Sequence, residues 1–95
     1  MPSHNPEIQK ELLSDYHFPK EDVLSSKTAR DTRQLQLNEA QRLGNEFKTK
    51  VRIGFLTTDG KHEVITTVWS VAEDIVMFKA GQFVPIHSIL YVEKD

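Results

Sequence analysis

The chain has no cysteine among its 95 residues, so neither a disulfide nor a thiolate-held metal can staple it, which fits a reducing compartment. No apolar run approaches the roughly 18 residues that a membrane helix needs, and no N-terminal stretch resembles a signal peptide. A cytoplasmic protein with no membrane partner is expected. Positive charge is not in excess either: 12 Lys and Arg stand against 14 Asp and Glu, for a net charge of −2. Residues 1–50 hold eight of each sign, whereas residues 51–95 hold four basic and six acidic side chains. Non-specific nucleic-acid binding needs several cations on one surface, and the C-terminal half has no obvious set of them.

Signs of catalysis are also scarce. The four glycines (Gly44, Gly54, Gly60, Gly81) are scattered, which excludes a Gly-rich phosphate loop. His4, His17, His62 and His87 include no pair at metal-ligand spacing. No Gly-x-Ser-x-Gly elbow exists. Glu73-Asp74 is a pair of carboxylates, but in a turn such acids are ordinarily solvated. No catalytic residue, no metal site and no cofactor is therefore expected, and the chain is not read as an enzyme.

What is present is a β-rich C-terminal half. Val51, Ile53, Phe55 and Thr57 alternate with Arg52, Gly54, Leu56 and Thr58, the period of a half-buried strand. Asp59-Gly60 then signals a tight hairpin of type I′. The next strand, Lys61 to about Val71, does not alternate: Val64-Ile65, Thr66-Thr67 and Val68-Trp69 place similar residues on both faces. A strand that bends sharply and serves both halves of a barrel has that pattern. Ile75–Lys79, Phe83-Val84 (stopped by Pro85) and Ile89–Glu93 complete five short strands. The expected fold is mainly β with α: a helix followed by a five-stranded antiparallel small barrel of Sm or SH3 type.

Ahead of these strands, Ala29–Leu43 reads as the one convincing helix, with Asp31 as N-cap, Gln34 three residues on, and Gly44 in the C′ position. Its apolar stripe is thin, Leu35, Leu37, Ala40 and Leu43, and is expected to cap the barrel. Asn5-Pro6-Glu7 suits a helix start, with Ile8, Leu12 and Leu13 sharing one face to about Asp15. Tyr16, Phe18, Val23 and Leu24 are apolar residues in a polar segment, read first as incidental hydrophobes on a tail and second as a docking motif. The division is thus a flexible segment, residues 1–28, and a helix-plus-barrel domain, residues 29–95.

Three residues are candidate binding contacts. Trp69, the only tryptophan, is read first as core, with a binding surface as the rival. His87, before the last strand, is read as hydrogen-bonded to backbone, with a ligand contact as the alternative. Lys79 is read as an exposed strand end, against a phosphate contact.

In order and approximate spacing, Val51-x-Ile53-x-Phe55, Asp59-Gly60, Val68…Asp74-x-Val76-x-Phe78 and His87-x-Ile89 after a helix resemble the Sm-like RNA chaperone Hfq. In that family a histidine of a Tyr-Lys-His motif helps hold RNA at the pore of a hexameric ring. His87 falls at that position, with Pro85 and Ile86 in place of the tyrosine and lysine. The chain also resembles an uncharacterised bacterial small β-barrel family sharing a Thr-Thr-Val-Trp strand (Thr66–Trp69), a Lys-x-Gly turn (Lys79–Gly81) and a Pro-Ile-His-x-Ile close (Pro85–Ile89). That likeness spans residues 40–93 and implies a fold without an activity. The expected function is non-catalytic protein–protein binding through the N-terminal segment or an exposed strand edge. The alternative is Sm-like RNA binding, and the oligomeric state stays open.

Overall fold

The structure is a computed structural model that describes residues 6–95. The helix α1 spans Lys27–Phe47 and is followed by six strands: β1 (Val51–Thr57), β2 (Gly60–Thr66), β3 (Val68–Val71), β4 (Ile75–Phe78), β5 (Phe83–Pro85) and β6 (Ile89–Lys94). They form two three-stranded antiparallel sheets, ordered β2-β1-β6 and β3-β4-β5.

This corrects the five-stranded closed barrel. The two-faced stretch from Lys61 to Val71 is not one bent strand but two, divided at Thr67, and each half belongs to a different sheet. At the other corner Pro85 ends β5, and a 3₁₀ turn over Ile86–Ser88 leads into β6. Proline donates no hydrogen bond, so the ladder cannot continue through that corner. Among the described residues no strand ladder joins the two sheets, and they meet through chain connections and packing.

The alternation in β1 works as expected: Val51, Ile53, Phe55 and Thr57 are all buried. Val51, Ile53 and Phe55 join Val64, Val68, Val76, Phe78, Val84, Ile89 and Val92 in one core between the sheets and α1. The β1–β2 hairpin is displaced by one residue from the expected turn. Thr57 pairs with Gly60, so Thr58-Asp59 is the loop, and Gly60 takes φ +127° as the first residue of β2. Thr57 holds the turn, its hydroxyl donating to the Gly60 carbonyl at 3.1 Å and accepting from the Asp59 N–H at 3.1 Å.

The helix also differs from expectation at both ends. Ser26, not Asp31, is the N-cap, its hydroxyl accepting from the Ala29 N–H at 3.2 Å. Asp31 is instead an exposed partner of Lys27 at 2.7 Å. Gly44 does not end the helix but lies buried inside it, where a Cβ would collide with the Val68 carbonyl oxygen of β3. Its role is close approach of helix to strand. The helix ends at Lys48, which takes the left-handed conformation at φ 57° and donates to the Gly44 carbonyl. The buried stripe is Arg33, Leu37, Ala40 and Gly44, spaced by four, three and four residues on one face. Leu35, expected to face the core, is 70% exposed.

The expected N-terminal helix is a 3₁₀ turn at Lys10–Asp15, and the proposed cap Asn5 lies outside the described residues, as does His4. Leu13 is buried in the core, with Ile8 and Phe18 packed against it. Polar contacts follow the same path. Glu63 of β2 donates its N–H to the Pro6 carbonyl at 2.8 Å and accepts from the Ile8 N–H at 2.7 Å. Thr58 N–H donates to the His17 carbonyl, and Val23 N–H to that of His87, both at 2.9 Å. Arg33, buried on α1, grips both oxygens of Asp22 at 2.9 and 2.7 Å and donates to the Ile89 carbonyl at 3.1 Å. The hydrogen bonds from Arg33 hold the Asp22 carboxyl below the usual carboxylate range.

Candidate binding surfaces

Trp69 is not a core residue. Val68 pairs with Phe78 and Ser70 with Met77, so β3 carries one extra residue, Trp69, in a β-bulge. A bulge re-aims side chains, and here it leaves the indole 43% exposed. The left-handed end of α1 brings Lys48 to it, with Nζ 5.0 Å from the ring centroid, within cation–π range. Lys79 is exposed at the end of β4, and its N–H donates to the Thr67 carbonyl at 3.2 Å. Lys48, Lys50 and Lys79 line one cleft of about 350 Å³ with Ile65, Thr66 and Thr67. None of these lysines makes an ion pair among the described residues, and no acid lines the cleft. Two of the three candidates, Trp69 and Lys79, are therefore neighbours of one cationic cleft.

His87 is not part of it. Its Nε2–H donates to the Pro19 carbonyl at 2.6 Å, the backbone role expected of it, and its own carbonyl receives Val23. The ring lines a polar depression with Asp22, Arg30, Asp31 and Glu73.

A third surface was not marked in the sequence. The six strands leave four sheet edges, and three are covered or short. The β2 edge meets residues 6–8 at Glu63. The β3 edge meets α1, where Gln41 accepts the Val71 N–H and Gly44 sits against the Val68 carbonyl. The β5 edge is three residues long and ends in proline. The β6 edge is six residues long, and among the described residues no strand pairs with its outer side; α1 packs near it, and Arg33 takes the Ile89 carbonyl. Beside it runs a trough of about 320 Å³ lined by Leu35, Ala40, Leu43, Val51 and Val92, with Glu39, Glu93 and Lys94 on its rim. Arg42 bonds Glu39 at 2.6 Å and keeps its carboxyl below the usual range, so this rim acid is already compensated. The trough was hidden because Leu35 and Leu43 read as core at helical spacing. Only the register of α1 on β3, fixed by Gly44, turns them toward β6.

No family model, no curated protein and no solved structure matches the chain. Among the described residues no helix is long and apolar enough to cross a membrane, and no three His, Asp or Glu side chains cluster as a metal site.

Proposed function

We propose that the chain is a cytoplasmic, non-catalytic protein-interaction module that takes an extended segment of another protein along β6. The observation that carries this reading is the one long edge strand with no second strand paired to its outer side among the described residues, flanked by an apolar trough between it and α1. An unpaired edge offers a row of backbone donors and acceptors, and natural folds cover or blunt such edges unless they are used. Main-chain pairing would supply affinity, and alternate apolar side chains of the incoming strand would enter the trough between Leu35, Leu43 and Val92. Placing the photo-crosslinking amino acid p-benzoylphenylalanine at Leu35 in cells tests it. An adduct with another polypeptide is expected there and not from the same group at Lys61, an exposed residue away from the trough. No adduct at Leu35, or equal yields at both positions, removes the reading.

A second reading, single-stranded RNA binding, is favoured by one observation: Trp69 is exposed beside a cleft with three lysines that form no ion pair among the described residues. Base stacking on an aromatic ring with ammonium groups on the phosphates is the usual chemistry of sequence-tolerant strands. Because Trp69 is the sole tryptophan, its fluorescence reports on that cleft alone. Quenching by poly-U or poly-A at low salt, lost in Lys79→Glu, supports the reading. Unchanged fluorescence up to roughly tens of micromolar nucleic acid sinks it.

A further inference from the structure

All four arginines bond to carboxylates or backbone carbonyls, and Lys27 pairs with Asp31. Lys48, Lys50 and Lys79 differ. They are exposed, make no ion pair among the described residues, and line one cleft of about 350 Å³ that no acid lines. That volume lies within the range of small-molecule sites, about 300–1,000 Å³. Ammonium groups gathered on one hollow repel each other, and an anion held among them turns the repulsion into attraction.

Lys48 also ties the cleft to the exposed indole of Trp69, with Nζ 5.0 Å from the ring centroid. A charge-assisted bond to phosphate is stronger than an exposed cation–π contact. A phosphate in the cleft therefore draws that ammonium off the ring, and the bared indole is open to a flat base.

We propose that this site binds a single nucleoside diphosphate, its phosphates among Lys48, Lys50 and Lys79 and its base on Trp69. The proposal rests on the base-and-phosphate chemistry of the second reading and replaces the strand by one nucleotide. Charge chooses the compact ligand. A phosphate monoester carries about 1.5 to 2 negative charges, fewer than the three lysines can meet, and a second phosphate makes up the difference. A long strand, by contrast, must run on from the cleft over a chain of net charge −2, which repels its further phosphates.

Two-dimensional ¹H–¹⁵N NMR of the full chain reads both halves of the site. The sole indole N–H reports the base, and the Thr67 and Lys79 amides report the phosphates. ADP is expected to shift all three together. AMP should bind about tenfold more weakly than ADP, and adenosine about tenfold more weakly again. Lys50→Met and Lys79→Met, at exposed positions, should each bring ADP to about the AMP level and leave adenosine unchanged, with the folded spectrum intact. A short oligoadenylate without a terminal phosphate should bind more weakly than ADP. If the oligoadenylate binds more tightly than ADP, this inference falls and the strand reading stands. If neither shifts the folded chain at millimolar concentration, both fall. Equal affinities for ADP and adenosine, or shifts centred away from Trp69 and the cleft, overturn the proposal as well.

Discussion

The ring of Tyr91 on β6 occupies the space that a side chain on Gly54 of β1 would need. Gly54 pairs with Tyr91 on one side and Glu63 on the other, so the three stand in one row across the sheet. Crossing the glycine, the Tyr91 hydroxyl donates to one Glu63 oxygen while Arg52 donates to the other. A fully buried carboxylate is tolerated because both of its oxygens are met. Gly54→Ala is expected to cost about 1–3 kcal/mol by overpacking. Tyr91→Phe should cost about 1–3 kcal/mol by stripping a donor from Glu63. Urea unfolding measures both, and a neutral Gly54→Ala would show that the ring is not held there.

Gly44→Ala separates helix propensity from packing. Propensity alone makes alanine better by about 1 kcal/mol inside a helix. The new Cβ, however, would collide with the Val68 carbonyl and lie 3.0 Å from Thr67 Cγ2. A loss of about 1–3 kcal/mol is expected. A stabilised variant would mean that α1 does not sit this close to β3.

Acid should loosen the Arg33–Asp22 clamp. The folded state holds the Asp22 carboxyl below its ordinary value of 3.8, mainly through the Arg33 hydrogen bonds. Its contribution is complete above that value and is lost as pH falls through the folded pKa. Asp22→Asn should therefore narrow the gap in stability between neutral and acid pH. An unchanged pH profile would contradict the clamp.

Leu13→Ala tests whether the N-terminal segment belongs to the folded core. With Leu13 buried against the sheet, truncation should cost about 2–5 kcal/mol. Hydrogen exchange of Thr58 and Val23, which bond to the His17 and His87 carbonyls, should then speed up. A segment that merely trails would give no change in either.

Much of the sheet was legible in the sequence where one local rule decided it. The alternation of Val51–Thr57, the stop at Pro85 and the turn at Ile86–Ser88 each follow from backbone chemistry. The two-faced run around Thr67 correctly announced a corner, but residues alone do not say whether a corner closes a barrel. That depends on ladders between strands far apart in sequence. Gly44 was misread because a glycine after an apolar stripe fits a helix end as well as a close approach. Trp69 was misread because a bulge depends on its partner strand, so nothing at Trp69 itself reveals it. The buried Arg33 and Glu63 were missed because a charged residue signals burial only once its partner, Asp22 or Arg52 with Tyr91, is known.

Amide hydrogen exchange along β6 tests the open edge most directly. From Tyr91 to Lys94 the strand is in regular antiparallel register with β1, so alternate amides should be protected by β1 and those between them should exchange freely. Slow exchange at every one of these positions would mean that the outer side of β6 is already paired, and both the two-sheet arrangement and the strand-docking function would fall with it.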